Sequence, residues 1–369
     1  RNKVEEKGKK GRMDYTLLLI VVLLVVIGLV ILYSTSAYNG QVKFHDSFYY
    51  LKKQAFATVL GIVLMLFVAG MDYHIWQRLA VFGYLAAVAL SVAVMLFGRE
   101  INGSKRWLAL GPFSFQPSEF AKVALILFLA DLVTKNVKTI GKMWTLCRIM
   151  FWILPIVGLV GASNLSTAII ILGIGVILIF VASPKYAQFA LMGIAGACFM
   201  GIFLALESYR LERLAIWRNP EKYEKGYQTL QGLYAIGSGG VFGVGIGNSV
   251  QKLGFVPEAQ NDMIFSIICE ELGIFGGLIV LMLYAYLLYR LFVIAQNAPD
   301  MFGSLMVSGI FIHIALQVIL NIAVVVNLMP NTGVTLPFIS YGGTSIVFLM
   351  AEMGLALSVS KGIRLDTIE

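Results

Sequence analysis

The stretch GSKRWLALGPFSFQPSEFAK, from Gly103 to Lys122, sets two lysines, an arginine, a tryptophan and a glutamate between two long apolar runs. Ionisable groups are costly at membrane depth and mark function there. Lys105, Arg106 and Lys122 have the chemistry to hold an anionic group, arginine through paired hydrogen bonds and lysine as a point charge. Glu119 precedes Lys122 by three residues, the spacing of a helix pair. Each residue also has an ordinary reading. Trp107 suits an aromatic belt, Lys105 and Arg106 suit snorkelling cations, and Glu119 with Lys122 suits a surface pair. Jointly, a Gln-Pro-Ser-Glu helix start beside a Lys-Arg-Trp turn is a denser polar construction than a membrane flank needs.

A second candidate is PEAQNDMIFSIICEELG. Pro257 suits the first position of a helix. Glu258 and Asp262 then fall four apart on one face, followed by Ser266 and Cys269, opposite Met263, Ile264, Ile267 and Ile268. One reading is a cap at the membrane edge. The other is a carboxylate facing a wet cavity as a general base. An apolar setting would raise its pKa, while Lys252 or helix-start amides would lower it, and the sequence leaves that balance open.

Two further segments break the apolar pattern. In NLMPNTGVTLPFISYGGTS, 327–345, prolines and glycines interrupt a run before the last span. Broken backbone in a membrane is tolerated where protein covers it or a cavity is lined, so a plain kink and a functional loop both fit. The glycine-rich GSGGVFGVGIGNS lacks the Gly-Lys-Ser/Thr of a phosphate loop and follows no soluble strand, so close backbone packing explains it better than a nucleotide does.

The elements that must position these residues are membrane helices. The chain of 369 residues is 59% hydrophobic and 13% charged, and its mean hydropathy is +0.84. Apolar runs of about 20 residues recur throughout, which specifies an all-α polytopic membrane protein. Backbone inside lipid must bond internally, so the runs are helices, and the short alternating segments of a barrel are absent. Ten spans are expected, at 14–35, 53–70, 76–97, 118–134, 147–162, 165–182, 186–206, 263–294, 302–327 and 341–360. The fifth and sixth meet at a tight turn near Ser163-Asn164, and the eighth is long enough to project beyond the bilayer. The expected organisation is a basic segment 1–13, a membrane domain 14–360 with a large extracytoplasmic loop at about 207–262, and a tail 361–369. That loop opens with LESYRLERLAIWRNPEKYEKGYQ, whose mixed aromatic and charged residues suit an amphipathic segment at the interface.

Ten spans put both ends of the chain on one side. Lys and Arg counts are nearly tied, fifteen against thirteen, and the first span breaks the tie with six before it and three after it. Both termini are therefore expected in the cytoplasm. The basic residues outside exceed what topology requires, so another role is expected for them.

Several classes are disfavoured. Cys147, Cys198 and Cys269 are scattered singly, and His45, His74 and His313 are equally isolated, which indicates neither a disulfide framework nor a metal centre. The charged start RNKVEEKGKKGR runs into an apolar segment without a small-residue cleavage site, so no cleaved signal is expected. The net charge of +8 is dispersed over membrane flanks, which suits anionic lipid or a phosphorylated ligand and argues against nucleic acid.

Taken in order, GSKRWLALGPFSFQPSEFAK, GYQTLQGLYAIGSGGVFGVGIGNSVQKLGFVPEAQNDMIFSIICEELG and LPFISYGGTS resemble the SEDS family (shape, elongation, division and sporulation) of bacterial cell-wall polymerases. The likeness runs over essentially the whole chain. QTLQGLYAIGSGG and PFISYGGTS are more similar to the division-type, FtsW-like branch or its sporulation relatives than to the elongation-type branch. The resemblance implies peptidoglycan glycosyltransferase activity on lipid II at the outer face of the bacterial cytoplasmic membrane. There the GlcNAc 4-hydroxyl attacks C1 of the MurNAc on the growing glycan strand and releases the pyrophosphate lipid. It implies a class B penicillin-binding protein as transpeptidase partner, other division proteins, and a septal location. It carries over Asp262 as the catalytic aspartate, with Trp107 and Glu119 as site residues.

The residues themselves support these roles. Asp262 would deprotonate the hydroxyl. Arg106, Lys105, Lys122 and Lys252 would neutralise the pyrophosphate, Trp107 would stack on sugar or lipid, and Glu119 would orient the cations, with Glu258 beside them. A divalent cation at the pyrophosphate is chemically reasonable, yet the carboxylates form no recognisable metal motif. Two departures from the family pattern stand out. The turn between the fifth and sixth spans reads SNLSTA where PDLGTA is common, so Asn164 and Ser166 replace an aspartate and a glycine. PEAQND replaces PEAHTD, removing a histidine partner for Asp262. The rival readings are a lipid II flippase and a non-catalytic division scaffold. A flippase needs charge along its whole path, whereas the densest cluster here sits at the outer mouth, with Asp131 and Glu352 deeper.

Overall fold

A computed structural model describes residues 13–101, 104–110, 113–190, 193 and 215–363. Ten helices longer than a few turns appear among them: α1 Tyr15–Phe44, α2 Tyr49–Gly70, α3 His74–Phe97, α4 Pro117–Asn136, α5 Met143–Ser163, α6 Leu165–Ala182, α7 Tyr227–Gly239, α8 Ile264–Gln296, α9 Met301–Val325 and α10 Gly343–Ser360. Eight of these are long and apolar enough to cross a membrane. They are α1 to α3, α5, α6 and α8 to α10. The chain is an all-α polytopic membrane protein. Of the expected spans, the seventh, 186–206, lies outside the described residues except for its start. The fourth is α4, whose Glu119, Lys122, Asp131 and Lys135 make it more polar than its neighbours.

α4 tolerates those charges because it is the inner helix. Every residue from Ala121 to Ala130 is buried, and α3, α5, α6, α9 and α10 all pack against it. α10 is the other inner helix and lies along α2. At one end of the bundle the connections after α3, α5 and α9 are joined by hydrogen bonds, and this end is the mouth. At the opposite end the chain closes on itself, where the Asp14 amide donates to Ser360 Oγ at 3.1 Å and Arg290 pairs with the Asp14 carboxylate. Both ends of the described chain therefore lie on one side.

Three features at the mouth differ from expectation. The segment 99–115 is a small antiparallel sheet, β1 Arg99–Ile101, β2 Ser104–Leu110 and β3 Phe113–Phe115, in the order β1-β2-β3. Lys105, Arg106 and Trp107 thus lie on a strand rather than a turn. The loop expected over 207–262 contains a helix, α7, which packs along α8.

The third feature is that α8 is not continuous. Gly273 has φ +70°, in the left-handed region, and splits it. The glycine-rich stretch after α7 fills the break. Val244 and Gly245 amides donate to the Glu270 and Glu271 carbonyls at 3.0 and 2.9 Å, and Ile274 and Phe275 amides donate to the Gly240 and Val241 carbonyls at 3.0 and 3.1 Å. Loop and broken helix thus satisfy each other's backbone groups, which is the condition for irregular backbone at membrane depth. Close backbone approach accounts for Gly239, Gly243 and Gly273, where a Cβ would strike the facing main chain.

Candidate functional site

Asp262 sits at the mouth, two residues before α8, and is 7% exposed. The helix expected from Pro257 does not form; residues 257–263 are turns, with Glu258 at φ +53°. The reason is competition for carbonyls. Those of Gln260, Asn261 and Asp262, which an early helix start would use, are taken by the Tyr341 amide at 2.9 Å, Ser340 Oγ at 2.6 Å and Asn321 Nδ2 at 2.8 Å. Tertiary bonds override the local start signal. Glu258 and Asp262 consequently do not share a helical face. Glu258 is exposed and accepts from Asn261.

The Asp262 carboxylate receives Gln228 Nε2 from α7, at 3.3 Å to Oδ1 and 3.5 Å to Oδ2. Burial pushes its pKa up to about 7, and the neighbouring Glu258 charge adds to the rise; amide groups of Gln228 and Asn331 oppose it. A carboxylate poised near neutrality at the end of the bundle has the property required of a general base.

Lys252 does not reach this aspartate. Its Nζ lies 2.7 Å from Glu271 Oε1 and 2.9 Å from Ser34 Oγ, and Ser34 donates to the same carboxylate. Lys252 is 5% and Glu271 0% exposed, so the pair is internal. The adjacent Glu270 accepts from Ser249 Oγ and from the Val250 amide. Two consecutive carboxylates of α8 thus hold 249–252, the strand of loop that leads into the Asp262 turn. Sequence reading missed both; the signal was a Glu-Glu pair inside an apolar run.

Lys105 is exposed on β2, and Trp107 is half-buried. Arg106 is exposed, with Nε donating to the Ser163 carbonyl at 3.0 Å. Glu119 and Lys122 close on each other at 2.9 Å inside the bundle. Deeper lies a pair the sequence did not suggest, His313 Nδ1 with Glu352 at 2.9 Å, both buried. His313 is therefore not isolated, and neither is His74, which contacts Asp72 and Asp300. Asp131 pairs with Lys135 at 2.6 Å.

Short links tie the rim together. Arg106 holds Ser163; Ser166 Oγ, on α6, donates to the Thr332 carbonyl at 2.6 Å; and Asn331 Nδ2 donates to Gln228 Oε1 at 3.1 Å, next to Asp262. Asn164, in place of the family's aspartate, accepts from the Thr167 amide at 3.2 Å as the N-cap of α6. An asparagine caps as well as an aspartate does, so the substitution leaves the turn intact. Lys105, Arg106 and Trp107 on the sheet and Asp262 beside α7 thus belong to one mouth.

Comparison with known proteins agrees with this architecture. Residues 15–364 match the family described as cell cycle protein, FtsW/RodA/SpoVE. Stage V sporulation protein E of Bacillus subtilis (strain 168) is 39% identical over 96% of this chain and 98% of that protein. A probable peptidoglycan glycosyltransferase FtsW of Saccharophagus degradans is 33% identical over 95% of this chain and 92% of its own length. Among solved structures, a chain from work on structural coordination of polymerization and crosslinking by a peptidoglycan synthase complex superposes with a TM-score of 0.82 at 30% identity, covering 96% of this chain and 99% of that one. Rod shape determining protein RodA of Thermus thermophilus gives a TM-score of 0.71 at 29% identity, over 96% of this chain and 98% of its own. A match of this extent establishes that the chain belongs to the FtsW/RodA/SpoVE family of cell cycle proteins, the SEDS family.

Proposed function

We propose that this chain is a peptidoglycan glycosyltransferase that polymerises lipid II into glycan strands at the outer face of the cytoplasmic membrane, in cell division. Relatives bearing that activity in their names match it over nearly their full length. The observation that carries the chemistry is the buried Asp262 carboxylate, held near neutrality at the mouth. The Lys and Arg bias puts the chain ends in the cytoplasm, so the mouth faces outward.

In this reading Asp262 takes the proton of the acceptor 4-hydroxyl as its oxygen bonds to C1 of the donor sugar. The bond from C1 to the phosphate oxygen breaks, and the pyrophosphate lipid leaves as an anion. Lys105 and Arg106 receive that charge. Lys122 and Lys252 would each have to open a buried ion pair to do so, which is costly. They and Glu119 instead hold the frame of the mouth. Trp107 offers a stacking face, and Glu258 borders the base.

Among the described residues no three His, Cys, Asp or Glu side chains gather to hold a metal ion, and no step here runs through one. A divalent cation at the pyrophosphate would come with substrate oxygens as its main ligands. The partner expected is a class B penicillin-binding protein, since a solved relative comes from a complex that couples polymerization to crosslinking. Other division proteins and membrane lipid complete its surroundings.

A flippase reading draws on the charge pairs deeper in the bundle. Those groups are taken up in ion pairs, Glu119–Lys122, His313–Glu352 and Asp131–Lys135. Glu119 Oε2 and His313 Nε2 are left without a hydrogen bond, two atoms rather than a line of ligands for a polar headgroup. The test is polymerisation of lipid II by purified protein in detergent, alone and with its cognate transpeptidase. Muramidase-sensitive polymer supports the enzyme, because detergent leaves no second compartment for a flippase to serve. No polymer with an active partner points to the flippase or scaffold. Arg106→Ala should lower kcat/KM for lipid II by about 10–100-fold, with Arg106→Lys in between, the loss expected for a charge-assisted contact. Steady-state polymerisation rates check this.

A further inference from the structure

We propose that Gln228 and Asn331 are positioning residues of the reaction, a two-amide relay that orients the Asp262 carboxylate toward the acceptor hydroxyl. The proposal rests on Asp262 being the general base. Its evidence is that every end of both amides has a partner of one polarity only. The Gly333 amide donates to Asn331 Oδ1 at 3.0 Å, which turns Asn331 Nδ2 toward Gln228 Oε1, 3.1 Å away. That contact turns Gln228 Nε2 toward the Pro257 carbonyl at 3.3 Å and the two Asp262 oxygens at 3.3 and 3.5 Å. Flipping either amide would set oxygen against oxygen where it now donates and N–H against N–H where it now accepts.

Asn321, on α9, ties the aspartate's backbone to the same 331–334 segment. Asn321 Nδ2 bridges the carbonyls of Asp262 and Val334 at 2.8 and 2.7 Å. Residues 331–334 therefore hold Asp262 twice, through its main chain and through its carboxylate. Donors at 3.3 to 3.5 Å are long, so the relay aims the carboxylate and favours its charged form without locking it. A carboxamide does not take up a proton at this pH, which excludes Gln228 itself as the base.

The charged surroundings are simple enough to read the effect. Glu258 on the same loop opposes ionisation of Asp262. Lys252 is neutralised by Glu271, and Glu270 is held by Ser249 and Val250. α7 and residues 326–342 carry no Asp, Glu, Lys or Arg, and the one ionisable side chain of α9, His313, pairs with Glu352.

The test is the pH–rate profile of lipid II polymerisation for wild type, Gln228→Leu, the nearly isosteric Gln228→Glu, Asn331→Ala and Asp262→Asn. Removing the donor should move the acidic limb up by about 0.5–1 unit in Gln228→Leu, and a second carboxylate should move it by about 2 in Gln228→Glu. Rates at pH 7 then fall several-fold in Gln228→Leu and about 50-fold in Gln228→Glu, KM for lipid II stays put, and the rate returns at high pH. Asn331→Ala should shift the limb the same way by less, and its effect should be less than additive with Gln228→Leu in the double variant. A structural role would instead lower the rate equally at every pH. If Asp262→Asn abolishes polymer while the Gln228 variants keep the wild-type limb, the relay is wrong and the base assignment stands. If Asp262→Asn polymerises normally, the base assignment falls and the relay with it.

Discussion

Asp262→Asn should reduce glycan polymerisation by about 10²–10⁴-fold, the contribution of a positioned general base. The same change should make the protein more stable. The Asp262 pKa is raised from 3.8 to about 7 by burial, so the folded protein binds a proton more tightly than the unfolded chain does. Wild type therefore loses stability as pH rises from about 4 toward 7, and the whole penalty is present above 7. Asparagine carries no such penalty and preserves the Gln228 contact through its own oxygen. Melting in detergent at pH 8 should favour Asp262→Asn, with an advantage on the order of a few kcal/mol that fades as pH falls below about 5. A dead but more stable variant is the signature of a site held against its own stability. A variant that is dead and less stable would point to a structural aspartate.

The second large effect is on folding. Lys252→Met leaves Glu271, fully buried, without its counter-charge. Breaking a buried pair by removing one member costs about 3–5 kcal/mol, whereas removing both can be neutral. Lys252→Met should lower the melting temperature sharply, and Lys252→Met with Glu271→Gln should recover most of it. Because Ser34 of α1 and loop 249–252 both meet at this pair, the single variant should also loosen the turn that carries Asp262. Thermal unfolding of the three proteins in one detergent checks the pattern. Equal losses in the single and double variants would mean that the pair is not the source of the effect.

The membrane helices were legible because lipid leaves a chain few options. A run of about 20 apolar residues has to be a helix, and the expected spans coincide with α1 to α6 and α8 to α10 within a few residues at most ends. The sheet at 99–115 was not, since seven residues of SKRWLAL are too few to separate a strand from a polar turn. Asp262 and Trp107 stood out because residue type and family resemblance agree, and Arg106 by its residue type and place in the Lys-Arg-Trp cluster. Pro257 misled because its start signal is local, while the bonds that defeat it come from Asn321, Ser340 and Tyr341. The relay is hidden for the same reason. Gln228 and Asn331 are 103 residues apart, and neutral amides carry no periodicity or charge that would associate them. His313 looked isolated because its partner Glu352 is 39 residues away on another helix.

The measurement that bears most directly on Asp262 as the base is the pH dependence of lipid II polymerisation by the wild-type protein, between about pH 5 and 9, with Asp262→Asn alongside. The expected result is a rate that climbs through a midpoint near 7 to a plateau, with the variant flat and near background throughout. A wild-type rate unchanged from pH 5 to 8, or an Asp262→Asn variant that follows the wild-type curve, would contradict it.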